Sequence, residues 1–308
     1  MKYLEQIGNF TESNLISLDE CVWWALELFS KTEIKSWNFE KYKKPLIAGS
    51  WNAIVTAKII FSDMDAIFCD ETDIDIALTK DIDSIIIVSA SWEKHAPIFA
   101  KKAWDKNLPI TLITCAEWSS AEIVVGIENT IITPKNREPY TYNTSTYLGW
   151  VLAKTGESAW DILKYIENVI EPELQKINFW EYDAYLCVTP DKFAWVNQLM
   201  RVKFIELFGR KIARDVFSYE HLKHAITVIP HSKELLITFG DWECDHTWDV
   251  FNIPLPKETG LAMMMAVSYY VIGKIQKSHP NYFQENIADY IERANKSGFS
   301  KGLNIIIE

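Results

Sequence analysis

Three serines, a histidine and a few carboxylates carry the chemistry that can be read from this chain. Ser50, Ser89 and Ser91 each close an apolar run just ahead of a predicted helix, in the segments GSWN (49–52) and SASWEK (89–94). Short hydroxyl donors at a helix N-terminus suit an oxyanion such as phosphate, and they equally suit plain helix capping. Serines in two strand-end loops of one sheet favour the anion. Lys94 stands in the first turn of the second of these helices, where it is either a point charge for phosphate or a solvated helix residue. Glu138, between Arg137 and Pro139, reads as a solvated or arginine-paired carboxylate. His224 is a candidate acid–base group, and Glu220, four residues earlier, shares its helical face and can orient it, whereas His221 points elsewhere.

Other arrangements are excluded by spacing. The run DWECDHTWD (241–249) offers Asp241, Cys244, Asp245, His246 and Asp249, but adjacent residues rarely converge on one ion and no zinc spacing is present. No metal is expected. There is no Walker loop, no GxGxxG and no GxSxG, so neither a nucleotide cofactor nor a hydrolase elbow is expected.

These residues must be positioned by a sheet. Short β-branched runs (PLIAG, DAIFC, DSIIIVSAS, PITLITC, NTIITP) alternate with helix-like stretches after Lys44, the pattern of a buried parallel sheet with crossover helices. The pattern recurs at 184–190, 211–217, 233–240 and 249–254. The fold class is therefore α/β, with two doubly wound parallel-sheet domains of three αβα layers. At 308 residues the chain exceeds one ordinary core. A boundary near residue 170, with breaks at Gly156 and Pro172, gives domains 1–170, led by a helix over 15–29, and 171–308, closed by two helices and the strand-like LNIIIE. In such sheets ligands sit beyond the carboxyl ends of the strands, which directs attention to the loops at Ser50, Ser89 and Thr114–Cys115.

Composition sets the surroundings. A net charge of −11 repels nucleic acid and anionic membranes. The apolar stretch Gly260–Gly273 is shorter than the roughly 20 residues a membrane helix needs, and reads as a core helix. Five cysteines without CxxC spacing suit reduced thiols, and MKYLEQIGNF carries no secretory pattern, so a cytoplasmic protein is expected.

The ordered motifs resemble one family. IAGSWNA, followed by the segment from Asp83 to Cys115, is similar to the sugar-isomerase (SIS) domain, with its Gly-Thr-Ser first loop and Ser-x-Ser-Gly-x-Thr second loop. REPYTYNTSTYLGWVLA (137–153), RVKFIELF (201–208) and YEHLKHAI (219–226) resemble segments of double-SIS proteins, among them the isomerase half of glucosamine-6-phosphate synthase and the fructosamine deglycases. The resemblance implies that Glu138 moves a proton between C1 and C2 of a sugar, that His224 opens the ring from a neighbouring subunit, and that the chain is a homodimer with composite sites. It also implies a reach to the sugar by a lysine near the C-terminus, for which Lys301 stands two positions out of register. The departures are Trp92 for glycine, Lys94 for threonine, and Trp51 directly after Ser50. At Trp92 a tryptophan reaches the positive φ open to glycine only with strain, so the phosphate cradle is shaped differently here.

The resulting expectation is an enzyme acting at C1/C2 of a sugar or amino-sugar 6-phosphate, as isomerase, deaminase or deglycase, without a cofactor. The alternatives are a non-catalytic sugar-phosphate-binding or regulatory SIS protein, and a phosphoglucose/phosphomannose isomerase.

Overall fold

The computed structural model describes residues 9–34, 37–90, 95–115, 120–225, 229, 231–242, 249–297 and 302–307. Its contacts divide the chain into two compact units that interleave in sequence. One comprises Glu33–Lys135 and Ser145–Gly156; the other comprises Met1–Thr32, Asn136–Thr144 and Glu157–Glu308.

The first unit is built on strands β1 (Pro45–Gly49), β2 (Ile67–Cys69), β3 (Ser84–Val88), β4 (Ile110–Thr114) and β5 (Thr130–Ile132), all parallel, in the order β2-β1-β3-β4-β5. The central strands are buried on both faces, which is why they read as unbroken apolar runs. Leu46, Ala48, Ile85, Ile87 and Leu112 face the helices Ile74–Ala77, Ala96–Trp104 and Ser120–Val125 through Phe99, Ala100, Ala103 and Ala121. Helix Asn52–Ile60 packs along β1, β2 and β3.

The second unit carries β7 (Ala184–Thr189), β8 (Ala213–Ser218), β9 (Glu234–Phe239) and β10 (Asp249–Ile253), parallel and in the order β10-β9-β7-β8. Read from β8, this repeats the topology of the first sheet with one strand fewer. Helix Leu18–Lys31 lies so close to helix Leu261–Ser278 that a Cβ on Gly273 would stand 2.1 Å from the Asp19 nitrogen. The stretch read as a core helix is the buried part of Leu261–Ser278, and among the described residues no helix is long and apolar enough to cross a membrane.

Gly156 ends helix Thr144–Thr155 with φ +69°. Pro172 does not break its helix. Residues Ala159–Tyr165, Ile166–Ile170 and Glu171–Leu174 run on continuously, and the middle segment is a π turn. Proline lacks the N–H that an α-helix requires, and the widened turn ahead of it accommodates the loss. Cys21, Cys69, Cys115 and Cys187 are buried and outside any disulfide.

Candidate functional site

Gly49 ends β1 beside Val88, its register partner at the end of β3. A Cβ at Gly49 would meet Cγ2 of Val88 at 2.7 Å and its carbonyl oxygen at 2.9 Å. Only glycine lets these strand ends close up. Ser50 and Ser89 therefore leave the sheet side by side at the β1/β3 switch point, where a sheet of this order takes its ligand. The Ser89 N–H donates to the Ile113 carbonyl at 3.0 Å, which fixes the start of the second loop. Ser50 Oγ is buried without a hydrogen-bond partner, and so is Oδ1 of Asn52, a residue 4% exposed at the head of helix Asn52–Ile60. Buried polar atoms are normally bonded, so both keep a hydrogen-bonding capacity that the protein leaves unused. Ser91, Trp92 and Lys94 lie outside the described residues.

The strain expected at Trp92 falls outside the described residues; the strained tryptophan among those described is Trp51, in the first loop. Its backbone sits at φ 51°, ψ −121°, a region open mainly to glycine, at a cost of about 1–3 kcal/mol. Its side chain makes no capping hydrogen bond and is 69% exposed. The third loop is differently occupied. Cys115 Sγ lies 3.2 Å from Thr133 Oγ1, which also accepts from the buried Trp150 indole N–H at 3.0 Å, so this corner is filled by protein.

In the second unit Glu138 forms a short strand, β6 (Glu138–Pro139), paired antiparallel with β11 (Ile306–Ile307). Its carboxylate is 4% exposed, and Oε2 accepts the Thr144 N–H at 2.6 Å at the start of helix Thr144–Thr155. A carboxylate there is favoured by the helix dipole as well as by the bond. Arg137 lays its guanidinium over the Phe10 ring, 4.3 Å from the centroid, and donates to the Phe10 carbonyl at 2.7 Å. Between Glu138 and Thr144 the chain turns through Thr141 at φ 71° and Asn143 at φ 46°. A β-branched residue there is a true outlier, and several bonds hold it. Tyr140 N–H donates to the Ile305 carbonyl at 2.7 Å, Gln276 Nε2 donates to the Tyr142 hydroxyl at 2.9 Å, and Lys203 Nζ donates to the Thr141 carbonyl at 2.5 Å. Thr144 Oγ1 is buried without a partner.

Lys203 and Glu206 were not singled out from the sequence. Lys203 has no exposed surface, and its ammonium pairs with Glu206 Oε2 at 2.8 Å, on a side chain 17% exposed. A desolvated cation is tolerable only with such partners. A Lys–Glu pair three residues apart usually marks a solvated face. The overlooked signal is that Lys203 falls in the stripe Val196, Met200, Leu207 of helix Ala194–Phe208, whose members are buried. Burial near a strained loop makes Glu206, with Glu138, a candidate proton carrier.

His224 is exposed on helix Tyr219–Ala225, and the Glu220 carboxylate is taken by Lys223 at 2.6 Å, not by the histidine. Lys301, Cys244, Asp245 and His246 lie outside the described residues.

No protein-family model matches the chain, and no curated protein matches its sequence. Solved structures do. Glucosamine-6-phosphate deaminase from Thermotoga maritima is 14% identical, with a TM-score of 0.60 over 92% of this chain and 97% of that one. The C-terminal domain of glucosamine-fructose-6-phosphate aminotransferase from Francisella tularensis is 12% identical, with a TM-score of 0.56 over 90% and 95%. Tagatose-6-phosphate ketose/aldose isomerase from Escherichia coli is 10% identical, with a TM-score of 0.55 over 87% and 88%. At these identities the likeness is one of fold alone: two αβα units, each built on a parallel sheet.

Proposed function

We propose that the chain binds a sugar or amino-sugar phosphate and acts at its C1 and C2, as an isomerase, deaminase or deglycase. The observation that carries this reading is the pair of serine loops brought together at the β1/β3 switch point, with Ser50 Oγ buried and left unbonded by the protein. Ser50 and Ser89 would hold the phosphate, with Ser91 and Lys94 following in the second loop. In the isomerisation a carboxylate takes the proton from C2 of the open-chain aldose, leaving an enediolate with its charge on O1; the O2 proton passes to O1, and the carboxylate returns its proton to C1 as the C2 carbonyl forms. Glu138 or Glu206 would be the carboxylate for this, and His224 would open the ring from the partner of a cytoplasmic homodimer. Lys301 would reach the sugar.

The test pairs binding with turnover. Fructose 6-phosphate, glucose 6-phosphate and glucosamine 6-phosphate are screened by thermal shift and by product assay. Ser50→Ala should lose the stabilisation. Glu138→Gln keeps an oxygen for the Thr144 N–H, so it should fold and bind yet lose turnover; full turnover in this variant removes Glu138 from the mechanism, and Glu206→Gln then decides the base.

A second reading, binding without chemistry, is favoured by the jobs these groups already hold. Glu138 caps a helix and Glu220 is paired with Lys223. Stabilisation by a sugar phosphate with no turnover of any of the three would establish it.

A further inference from the structure

We infer that Trp51 is a specificity-determining residue, whose indole covers the sugar of the bound phosphate ester while Asn52 Oδ1 accepts a hydrogen bond from one of the sugar's hydroxyl or amino groups. The inference rests on the sugar-phosphate reading and extends it to residues outside the serine anchors.

Two independent observations meet at this corner. First, Asn52 is buried to 4% exposure, and its side-chain Oδ1 has no partner. A phosphate dianion offers only acceptors, so this atom cannot be satisfied by the phosphate; it needs an O–H or N–H donor. A ligand serving both Ser50 and Asn52 therefore carries donors close to its anion, as a polyhydroxylated or aminated carbon chain does. Second, Trp51 is strained and yet unused by the protein. Its φ of 51° is held at the junction between β1 and helix Asn52–Ile60, while its ring stands 69% exposed. Strain at a bulky side chain persists where something repays it. The indole packs little within the fold, so the repayment is assigned to the ligand. An indole face is electron-rich and apolar, a match for the C–H face of a sugar ring or chain. The loop thus divides recognition: Ser50 takes the anion, Trp51 the carbon skeleton and Asn52 a polar substituent.

The test is calorimetric titration of the full chain with fructose 6-phosphate, glucosamine 6-phosphate and inorganic phosphate, the last having no carbon skeleton. Trp51→Gly removes the ring and relaxes the backbone, Trp51→Ala removes the ring alone, and Trp51→Phe keeps an aromatic face. Both ring-deleting variants should bind the better sugar phosphate more than fivefold more weakly, bind inorganic phosphate within twofold of the parent, and be largely rescued in Trp51→Phe. Trp51→Gly should also melt above the parent without ligand. A loss of fivefold or less in the ring-deleting variants overturns the inference, as does an equal loss for inorganic phosphate, which would mean that the loop backbone and not the indole matters. A parent protein that binds neither sugar phosphate overturns the functional reading itself, an outcome separable from the first two.

Discussion

Lys203 shows how much one side chain can be asked to do. Its ammonium stitches Glu206 to the strained turn at Thr141, so the two obvious substitutions should differ in cost. Glu206→Gln leaves a buried cation without its counter-charge, worth about 3–5 kcal/mol of stability. Lys203→Met removes the cation and leaves a largely covered carboxylate and one carbonyl without its donor, worth about 1–3 kcal/mol. Urea unfolding of both variants checks the order; a more damaging Lys203→Met would mean that the turn, not the charge, dominates. His279 gives a pH signature. It is buried among Trp180, Tyr185 and Phe208, and its Nε2 lies 2.7 Å from the Tyr185 hydroxyl, whose proton goes to the Phe179 carbonyl at 2.8 Å. Burial lowers its pKa below the ordinary 6.5, with Asp183 opposing. A lowered pKa means that the unfolded chain takes up the proton first, so His279's contribution is complete above pH 6.5 and is lost as the pH falls through the folded value. The melting temperature should drop between pH 7 and pH 5, and His279→Phe should flatten that drop. None of these placements was legible beforehand: a lone histidine, a Lys–Glu pair and a tryptophan after a serine all have commoner, solvated explanations, and burial is what separates them.

Elements were easier to read, because a strand buried on both faces has to be an apolar run. The β-branched cores of β1, β3 and β4 lie where the sequence places them, whereas Pro172 was misread because a π turn absorbs it without ending the helix. Two interactions decide how helix Leu261–Ser278 is held. Glu157 caps it, with Oε1 accepting from Ala262 N–H at 2.7 Å and Oε2 from Met263 N–H at 3.1 Å. Glu157→Ala should cost about 1–2 kcal/mol, the upper range of a lost cap. Gly273→Ala drives a methyl into the Asp19 backbone and should cost about 3 kcal/mol or more, since two helix backbones must separate. Chemical denaturation of both variants tests this. The two sheets also differ at matching loops. Where the first unit presents Ser50 and Ser89, the second has Pro190–Asp191 after β7 and Gly240–Asp241 after β9. The Ser218 hydroxyl and the Glu220 N–H hold the Asp191 carboxyl below the usual range, so it stays charged. Phosphate is repelled there. Calorimetry should return one sugar phosphate per chain; a stoichiometry of two would show that the second switch point binds as well.

For the whole molecule, the proposed composite site requires a pair of chains. Light scattering should give twice the 35.7 kDa chain mass, and a monomer with full turnover would remove His224 of a neighbouring subunit from the reaction. The α/β class and the two-sheet plan follow from strand patterning, but the interleaving of the compact units does not, because it depends on which surfaces the flanking segments cover. One consequence of that interleaving concerns the order in which the protein is made. Glu138 pairs with Ile307, and Tyr140 with Ile305, across the entire second sheet in sequence. The described contacts at the start of the serine loops, Gly49 beside Val88 and Ser89 with Ile113, close within the first sheet. A nascent chain that lacks residues 302–307 therefore has the strands of the first sheet but not the strand partner of Glu138, so on the proposed reading sugar-phosphate binding should precede turnover during synthesis.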